Sequence, residues 1–249
     1  MEWIREINRG EGCVLGRAKK KRTAKRRNNL KKRNMIRQKM GKPVFFTLTH
    51  CSKKLAGISN KYNYKANMHG LCFVGAKFFN VKYQASIMTD CNFRDAHLLG
   101  VDFYNCNMRE DSFKNAVLEN VVFYNCNLKD VDFYGTKFKN VVFVCTNMNV
   151  VKNLDLNDAG ILVLRTYNKI EIEEKTENIL LDLSANESIY AAKVIHVNKG
   201  KLNNWNLSII QNRCGMKGIE KLSKILKRKE RWNNLFTVYA YINLIEKMH

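Results

Sequence analysis

The chain has 249 residues, of which 45% are hydrophobic, so it can fill a sizeable core in one or two domains. Its formal net charge of +22 at pH 7 is extreme for this length and is unevenly spread. Residues 1–65 carry a net charge of +17, residues 66–150 of zero and residues 151–249 of +5, which separates three regions of different physical character.

The eight cysteines and the apolar runs exclude several classes of protein. No two cysteines form a C-x-x-C pair, so no zinc site is predicted, and a chain of this length is not a small disulfide scaffold. The opening MEWIREINRG lacks the apolar run of a signal peptide, and no stretch approaches the ~20 apolar residues of a membrane span. We therefore predict a cytoplasmic protein with reduced thiols, no membrane span, no metal and no cofactor.

Residues 1–42 form a basic N-terminal segment. Fourteen of the 26 residues in 17–42 are Lys or Arg, and none is acidic. Helix propensity is fair but apolar content is thin, so we expect a partly disordered or helical segment when it is free. Phosphate backbones neutralise such a segment with release of counterions, which favours binding of nucleic acid, DNA or RNA. The predicted nucleic-acid-binding residues are Arg17, Lys19, Lys20, Lys21, Arg22, Lys25, Arg26, Arg27, Lys31, Lys32, Arg33, Arg37 and Lys39.

Two alternatives for this segment stay open, a solubilising tail and a patch for anionic membrane lipid. The membrane alternative requires bulky apolar side chains opposite the charges, and the segment has few of them.

Residues 43–65 follow as a cap or linker, in which VFFTLTH (44–50) predicts a short strand that covers the edge of the next domain.

Residues 66–150 repeat every five residues, a period that fits neither a helix nor a strand. Seventeen five-residue repeats follow one another without an insertion or deletion, and the central residue of each repeat is large and mostly apolar. Residues 20 apart also match in kind: one such column is Phe73, Phe93, Phe113 and Phe133. Four fives therefore form one square turn, and turns stack on each other.

The fives CNFRD (91–95), VDFYN (101–105), CNLKD (126–130) and VDFYG (131–135) resemble the motif of the pentapeptide-repeat family, roughly A-(D/N)-(L/F)-x-x. The resemblance implies an all-β solenoid, a right-handed quadrilateral β-helix, for 66–150. The central residues and the small residues two places before them would point inward. Cys91, Cys106 and Cys126 fall on small inward positions and are predicted to be buried structural thiols.

A solenoid filled by its own side chains offers no deep pocket, so no catalytic residue is predicted and function is expected on its faces. One outward strip is apolar and carries aromatics, which is typical of a contact surface. Its predicted partner-binding residues are Tyr104, Tyr124, Val122, Val142 and Val144. The alternative is that the chain's own C-terminal region covers this strip.

Residues 151–249 are predicted to be a mixed, largely helical C-terminal cap with terminal helices. In 218–248, Ile219, Leu222 and Ile225 fall on one helical face, and a second apolar helix is predicted from about Asn233. These faces are expected to pack on the solenoid or on a second copy, which gives a homodimer hypothesis.

Three functions of different class follow. The first is a non-enzymatic scaffold that contacts an unidentified protein through the solenoid faces and nucleic acid through the basic segment. The second, which the resemblance allows, is topoisomerase (gyrase) protection in antibiotic resistance or toxin self-immunity. The third is an enzyme, for which the sequence offers no paired carboxylates, phosphate-binding loop or triad.

Overall fold

A computed structural model describes residues 17–42, 44–49, 51, 53–166, 170–228 and 231–247. Its central part is a β-solenoid of about six turns. Val81 pairs with Val101, and Phe103 pairs with Phe123, so each turn takes 20 residues. The predicted all-β solenoid is confirmed, and so is the predicted length of its turn.

The solenoid strands all run parallel to their neighbours. One sheet has the order β10-β9-β7-β5-β4-β2, β6 and β8 continue from β5 on an adjoining face, and β1 pairs with β3. The strands are β1 (Thr47–Thr49), β2 (Ser59–Tyr64), β3 (Asn67–His69), β4 (Lys77–Gln84), β5 (His97–Tyr104), β6 (Val117–Glu119), β7 (Val122–Tyr124), β8 (Lys137–Lys139), β9 (Val141–Val144) and β10 (Ile161–Leu164).

The stacked strands extend beyond the predicted repeat at both ends. The predicted cap or linker supplies β1 and β2, which pair with β3 and β4, and β10 pairs with β9. In the first turn Thr47 pairs with Asn67, whereas Lys54 bridges to Cys72, so the spacing shortens from 20 to 18 residues. This slip interrupts the five-residue pattern, although the strand predicted within 44–50 is present as β1.

The corners of the solenoid explain why the fifth residue of each five is so often Gly, Asn or Asp. Every fifth residue from Asn60 to Cys145 has a positive φ, between 47° and 66°. Glycine meets no Cβ penalty there, and the short side chains of Asn and Asp tolerate this region better than most. Side-chain amides at equivalent corners also join successive turns. Asn80 donates to Asn60, Asn125 to Asn105 and Asn140 to Asn120, in each case to the residue 20 positions earlier.

The interior is filled by columns of side chains, as predicted. The rings of Phe73, Phe93, Phe113 and Phe133 stack with centroids 4.8–5.3 Å apart. Cys91, Cys106 and Cys126 are buried free thiols, which confirms their inward placement. The inward side chains of one turn, which form a rung, are buried only against the rungs of the neighbouring turns. The stability of the solenoid therefore comes from the stacking of its turns.

Outside the solenoid the described residues form one N-terminal helix and a C-terminal lobe. The helix is α1 (Arg17–Lys39). The C-terminal lobe, residues 170–247, contains α2 (Glu174–Asp182), a 3-10 turn (Leu183–Ala185), α3 (Glu187–Tyr190), the hairpin of β11 (His196–Asn198) and β12 (Lys201–Leu202), α4 (Asn204–Lys227) and α5 (Val238–Lys247).

Two helices of the lobe differ from a simple reading of the sequence. The helix α4 is kinked at Gly215, whose φ of 70° and ψ of 178° require a residue without Cβ. The helix predicted from about Asn233 begins instead at Val238, because the preceding segment runs along the solenoid and the Asn234 carbonyl accepts from the Asn80 side chain. No helix in the described part of the chain is long and apolar enough to cross a membrane.

Candidate functional site

The predicted nucleic-acid-binding residues lie on α1. Lys25, Lys31, Lys32, Arg33 and Lys39 have exposed side chains, and that of Arg37 is half-buried. The side chains of the other predicted residues lie outside the described part of the structure; they are those of Arg17, Lys19, Lys20, Lys21, Arg22, Arg26 and Arg27.

The C-terminal half of α1 is fixed to the start of the solenoid. The Asn34 amide donates to the Phe45 carbonyl (2.5 Å), and the Phe45 N–H donates back to the Asn34 Oδ1 (2.7 Å). The guanidinium groups of Arg33 and Arg37 lie over the Phe45 ring, at 5.0 and 4.3 Å from its centroid. Arg37 also lies 5.7 Å from the centre of the Tyr64 ring at the end of β2. Cation–π contacts of this kind hold the helix against the solenoid without neutralising its charge.

The α1 surface offers positive charge without neighbouring acids. No Asp or Glu occurs between Gly12 and Thr89, a stretch that holds 20 Lys and Arg. None of the described α1 lysines takes part in an ion pair. No aromatic residue occurs in 17–42 either, so α1 has no side chain on which a nucleobase could stack.

The C-terminal lobe covers the apolar strip for which the sequence left open either a protein partner or the chain's own C-terminal region. Val122, Val142 and Val144 are buried in a core shared with the lobe. The half-buried rings of Tyr104 and Tyr124 stack 4.0 Å apart, and Tyr124 meets Trp205 edge to face at 6.3 Å. These five predicted partner-binding residues therefore bind the chain's own lobe, because its apolar helices need a surface to pack on.

A buried polar pair lies beside this strip. The ammonium group of Lys82 donates to the Ala192 carbonyl (2.7 Å), and Asp102 Oδ2 accepts from the N–H of Val238 (2.9 Å), the first residue of α5. A carboxylate at a helix N-terminus is favourable. Burial raises the pKa of Asp102 to about 6, against the opposing effect of Lys82, and burial lowers the pKa of Lys82 to about 8.

Two further contacts fix the lobe on the solenoid. Thr237 Oγ1 donates to Asn80 Oδ1 (2.9 Å), whose amide donates to the Asn234 carbonyl (2.7 Å). At Gly100, which has a φ of 64°, a Cβ would collide with the ring of Tyr239. Sequence reasoning missed these docking residues, although Asn80 and Gly100 stand at equivalent corners of consecutive turns.

A cavity of about 350 Å³ remains between this face of the solenoid and the lobe. Its lining is mostly apolar, with Val122, Val142 and Ile242, and includes the side chains of Asn140 and Arg213. In the described part of the chain, no group of three or more His, Cys, Asp and Glu residues could hold a metal ion. The apolar faces behind the homodimer hypothesis are buried within the chain, and the homodimer itself stays a prediction.

The comparison with models of protein families agrees with this architecture. Residues 66–152 match the family model described as "Pentapeptide repeat region". The chain is similar to a trypsin-treated form of QnrB1, a plasmid-mediated fluoroquinolone resistance protein, with 18% identity over 44% of this chain and 55% of that one and a TM-score of 0.33. The aligned part thus spans about half of that trypsin-treated chain. A search of curated proteins gives no match.

Two pentapeptide repeat proteins are similar as well. Rfr23 from the cyanobacterium Cyanothece 51142 shares 13% identity over 49% of this chain and 99% of that one, with a TM-score of 0.15. A protein from the Arabidopsis thaliana thylakoid lumen shares 15% over 66% of this chain and 85% of that one, with a TM-score of 0.18. Together with the five-residue pattern and the 20-residue turn, the match to the family model shows that residues 66–152 of this chain form a pentapeptide repeat region.

Proposed function

We propose that the protein is a non-enzymatic scaffold that binds duplex nucleic acid through α1. The observation that carries this proposal is the helix itself, which presents exposed cations from an acid-free stretch and is tied to a rigid solenoid. The solenoid interior is filled by side chains such as Phe113 and Phe123, which leaves no internal space for a substrate. Its faces outside the lobe would serve contacts with proteins.

The chemistry of α1 fits a row of phosphates. Each cation that neutralises a phosphate releases condensed counterions, a contribution that does not depend on base sequence. A helix of 23 residues is about 35 Å long at 1.5 Å per residue, which equals about 10 base pairs of duplex at 3.4 Å each.

The lack of aromatic residues in 17–42 favours duplex over single-stranded nucleic acid. Proteins that bind single strands combine a basic groove with aromatic side chains on which bases stack, and this helix offers only the charge. Duplex DNA and duplex RNA both present two rows of phosphates, and we expect α1 to bind this feature in either of them.

The test is the salt dependence of binding, measured by fluorescence anisotropy on labelled duplex DNA and duplex RNA at several salt concentrations. The variant Lys25→Gln/Lys31→Gln/Lys32→Gln/Lys39→Gln removes four exposed cations that no described ion pair uses. We expect its slope of log K against log salt on duplex DNA to be shallower by about 3–4, since each lost phosphate contact contributes about 0.9.

A matched control separates local binding from total charge. The control variant Lys77→Gln/Lys137→Gln/Lys199→Gln/Lys201→Gln changes four exposed lysines elsewhere and has the same net charge. Equal slopes for the two variants would contradict the proposal, and so would binding to anionic vesicles that exceeds binding to both duplexes. Comparison of the DNA and RNA duplexes identifies the preferred source of phosphate.

No observation favours topoisomerase protection as a second function. QnrB1 is described as a fluoroquinolone resistance protein, but at 18% identity and a TM-score of 0.33 this likeness carries no argument for this chain. The repeat of residues 66–150 has no net charge, so it does not present the negative surface by which a solenoid could imitate DNA.

A further inference from the structure

We infer that the C-terminal lobe supplies a second phosphate-binding cluster, formed by Lys224, Lys227, Arg228 and Arg231, so that one duplex is held at two places. This inference rests on the proposed function, since it extends the α1 surface. It goes beyond that function because it assigns part of the same ligand to a separate element of the fold and sets a minimum length for the ligand.

The cluster stands on a fixed support. Lys224, Lys227, Arg228 and Arg231 are all exposed, whereas Ile225 and Leu226 between them are buried in the lobe. The indole N–H of Trp232 donates to the Leu226 carbonyl (3.0 Å), which closes the chain back on the end of α4. Lys224 and Lys227 are therefore held on a packed helix end, Arg228 and Arg231 follow it in the chain, and no described ion pair engages the four.

A chain of contacts links this cluster to the end of the solenoid that carries α1. The Trp232 N–H donates to Ser188 Oγ (3.0 Å), and two residues later the Asn234 carbonyl accepts from Asn80. Asn80 also donates to Asn60 of β2, the strand whose last residue, Tyr64, lies under Arg37 of α1. Both clusters are thus anchored on the first two turns of the solenoid.

The strand β2, which the contacts above join to both clusters, also carries exposed positive charge. Lys61 and Lys65 on and after β2 are exposed, and the sequence has no acid from Gly12 to Thr89. On the lobe side, Glu187 is exposed close to Ser188, and Glu220 lies one turn before Lys224 on α4. These two carboxylates, together with Glu230, which the sequence places between Arg228 and Arg231, still leave an excess of cations, so a phosphate backbone that passes from α1 to the lobe meets a favourable potential.

The arrangement predicts a dependence on ligand length. Because α1 alone matches about 10 base pairs, a duplex of that length bound along α1 leaves no phosphates beyond the helix for the second cluster. A duplex of about 24 base pairs reaches beyond α1 and can contact the second cluster as well. A flexible single strand has no such threshold, because it can bend into either cluster separately.

The experiment compares duplexes of 10 and 24 base pairs with the full chain and with the variant Lys224→Gln/Lys227→Gln/Arg228→Gln/Arg231→Gln. On the longer duplex we expect the slope of log K against log salt to be shallower by about 3–4 for this variant than for the unmodified protein, as it is for the α1 variant. On the shorter duplex it should bind as the unmodified protein does. The control variant Lys77→Gln/Lys137→Gln/Lys199→Gln/Lys201→Gln should keep the full slope on the longer duplex. Circular dichroism melting checks that each variant is folded.

The outcomes separate this inference from the proposed function. If the α1 variant loses slope on both duplexes while the lobe variant matches the control, the second cluster is refuted and the α1 site stands. If the lobe variant binds the 10-base-pair and the 24-base-pair duplex with equally reduced affinity, the two clusters act as a single contact. The arrangement in which one duplex is held at two places is then refuted. If neither variant differs from the control, the proposed function fails and this inference fails with it.

Discussion

Lys82 and Asp102 stand at equivalent positions on neighbouring turns, paired across β4 and β5, and both are buried beneath the C-terminal lobe. Their side chains are only 1% and 2% exposed. Each makes one hydrogen bond to the lobe's backbone, and the second carboxylate oxygen, Asp102 Oδ1, has no described partner. The lobe is therefore docked through two neighbouring buried charged groups that have lost their water, each hydrogen-bonded to the lobe rather than to the other, as well as through apolar contacts.

We expect Lys82→Met to lower the free energy of unfolding by about 1–3 kcal/mol at pH 7, because it removes the cation that offsets the burial of the Asp102 carboxylate. The double variant Lys82→Met/Asp102→Leu should recover most of that loss, since apolar side chains of similar volume replace the pair without desolvated charge. Urea unfolding of the three proteins measures both effects. A double variant that is no more stable than Lys82→Met would contradict this account of the pair.

The same pair gives the unfolding free energy a dependence on pH. Asp102 holds its proton more tightly when folded, with a pKa of about 6 against 3.8, so its contribution to stability falls as pH rises from 3.8 to about 6. Lys82 releases its proton more readily when folded, with a pKa of about 8 against 10.5, so its contribution rises with pH between about 8 and 10.5. The pair is least stabilising between pH 6 and 8.

This pH dependence is tested by the difference between the unmodified protein and the double variant Lys82→Met/Asp102→Leu. The difference in unfolding free energy, followed by urea titration from pH 4 to pH 10, should be flat between pH 6 and 8 and slope in opposite directions on either side. Other titrating groups are common to both proteins and cancel. A difference that does not vary with pH would show that the two groups titrate alike in the folded and unfolded chain.

The covered strip gives a second prediction. Tyr104→Ser/Tyr124→Ser should lower the unfolding free energy by about 2–5 kcal/mol, because it removes two stacked rings, the edge contact with Trp205 and the hydrogen bond that Asn203 donates to the Tyr104 hydroxyl. Thermal and urea unfolding measure the loss. The exposed Tyr134, with 62% of its surface accessible, is the control, and Tyr134→Ser should change stability by less than about 0.5 kcal/mol. Unchanged stability of the double variant would mean that the strip is not covered in solution.

The solenoid could be predicted from the sequence because each rung depends only on neighbours a fixed number of residues away. The column of Phe73, Phe93 and Phe113 follows directly from the 20-residue spacing, and so does the inward placement of Cys106. The first turn was not recognised as a turn, because the two-residue slip near Lys54 removes the pattern there.

The docking face could not be derived in the same way. The apolar strip was visible at Tyr104 and Tyr124, but its occupant depends on contacts 99 to 157 residues apart in sequence, such as Asn203 with Tyr104 and Thr237 with Asn80. A repeat of five or twenty residues carries no information about contacts between residues so far apart in the sequence. Lys82 and Asp102 were visible only as two charges beside the strip, since their burial depends on the lobe.

Asp111 gives a third prediction, from inside the solenoid. It stands at an inward position where its Oδ1 accepts from the Cys91 N–H (2.7 Å), while its Oδ2 is buried without a described partner. Burial raises the pKa of this carboxyl well above its usual value, against the Cys91 hydrogen bond. Because the folded chain keeps this proton more tightly than the unfolded chain, the contribution of Asp111 to stability falls as pH rises above 3.8 towards the folded pKa.

We expect Asp111→Asn to keep the hydrogen bond to Cys91 and to remove the titration. At pH 8 the variant should be more stable than the unmodified protein, because Asp111 must take up a proton on folding and Asn need not; the gain is about 1.4 kcal/mol for each unit by which folding raises the pKa of Asp111, and it should vanish at pH 4. Urea unfolding at both pH values measures it. Asp95→Asn removes an exposed charge that does not contribute to the raised pKa of Asp111, and it should give no such pH-dependent gain. A gain of equal size at both pH values would refute the protonated state of Asp111.

The fourth prediction concerns the rungs that hold the turns together. Phe113 stacks between Phe93 at 4.8 Å and Phe133 at 5.3 Å and meets Phe123 edge to face at 6.3 Å, with no exposed surface. Phe113→Ala should lower the unfolding free energy by about 3–5 kcal/mol, because turns on both sides lose their contacts and cannot close the cavity without shifting the paired strands. Phe79→Ala, at a ring that is 41% exposed, is the matched control and should cost clearly less. Equal losses for the two variants, measured by urea unfolding, would mean that the phenylalanine column does not carry the stability of the solenoid.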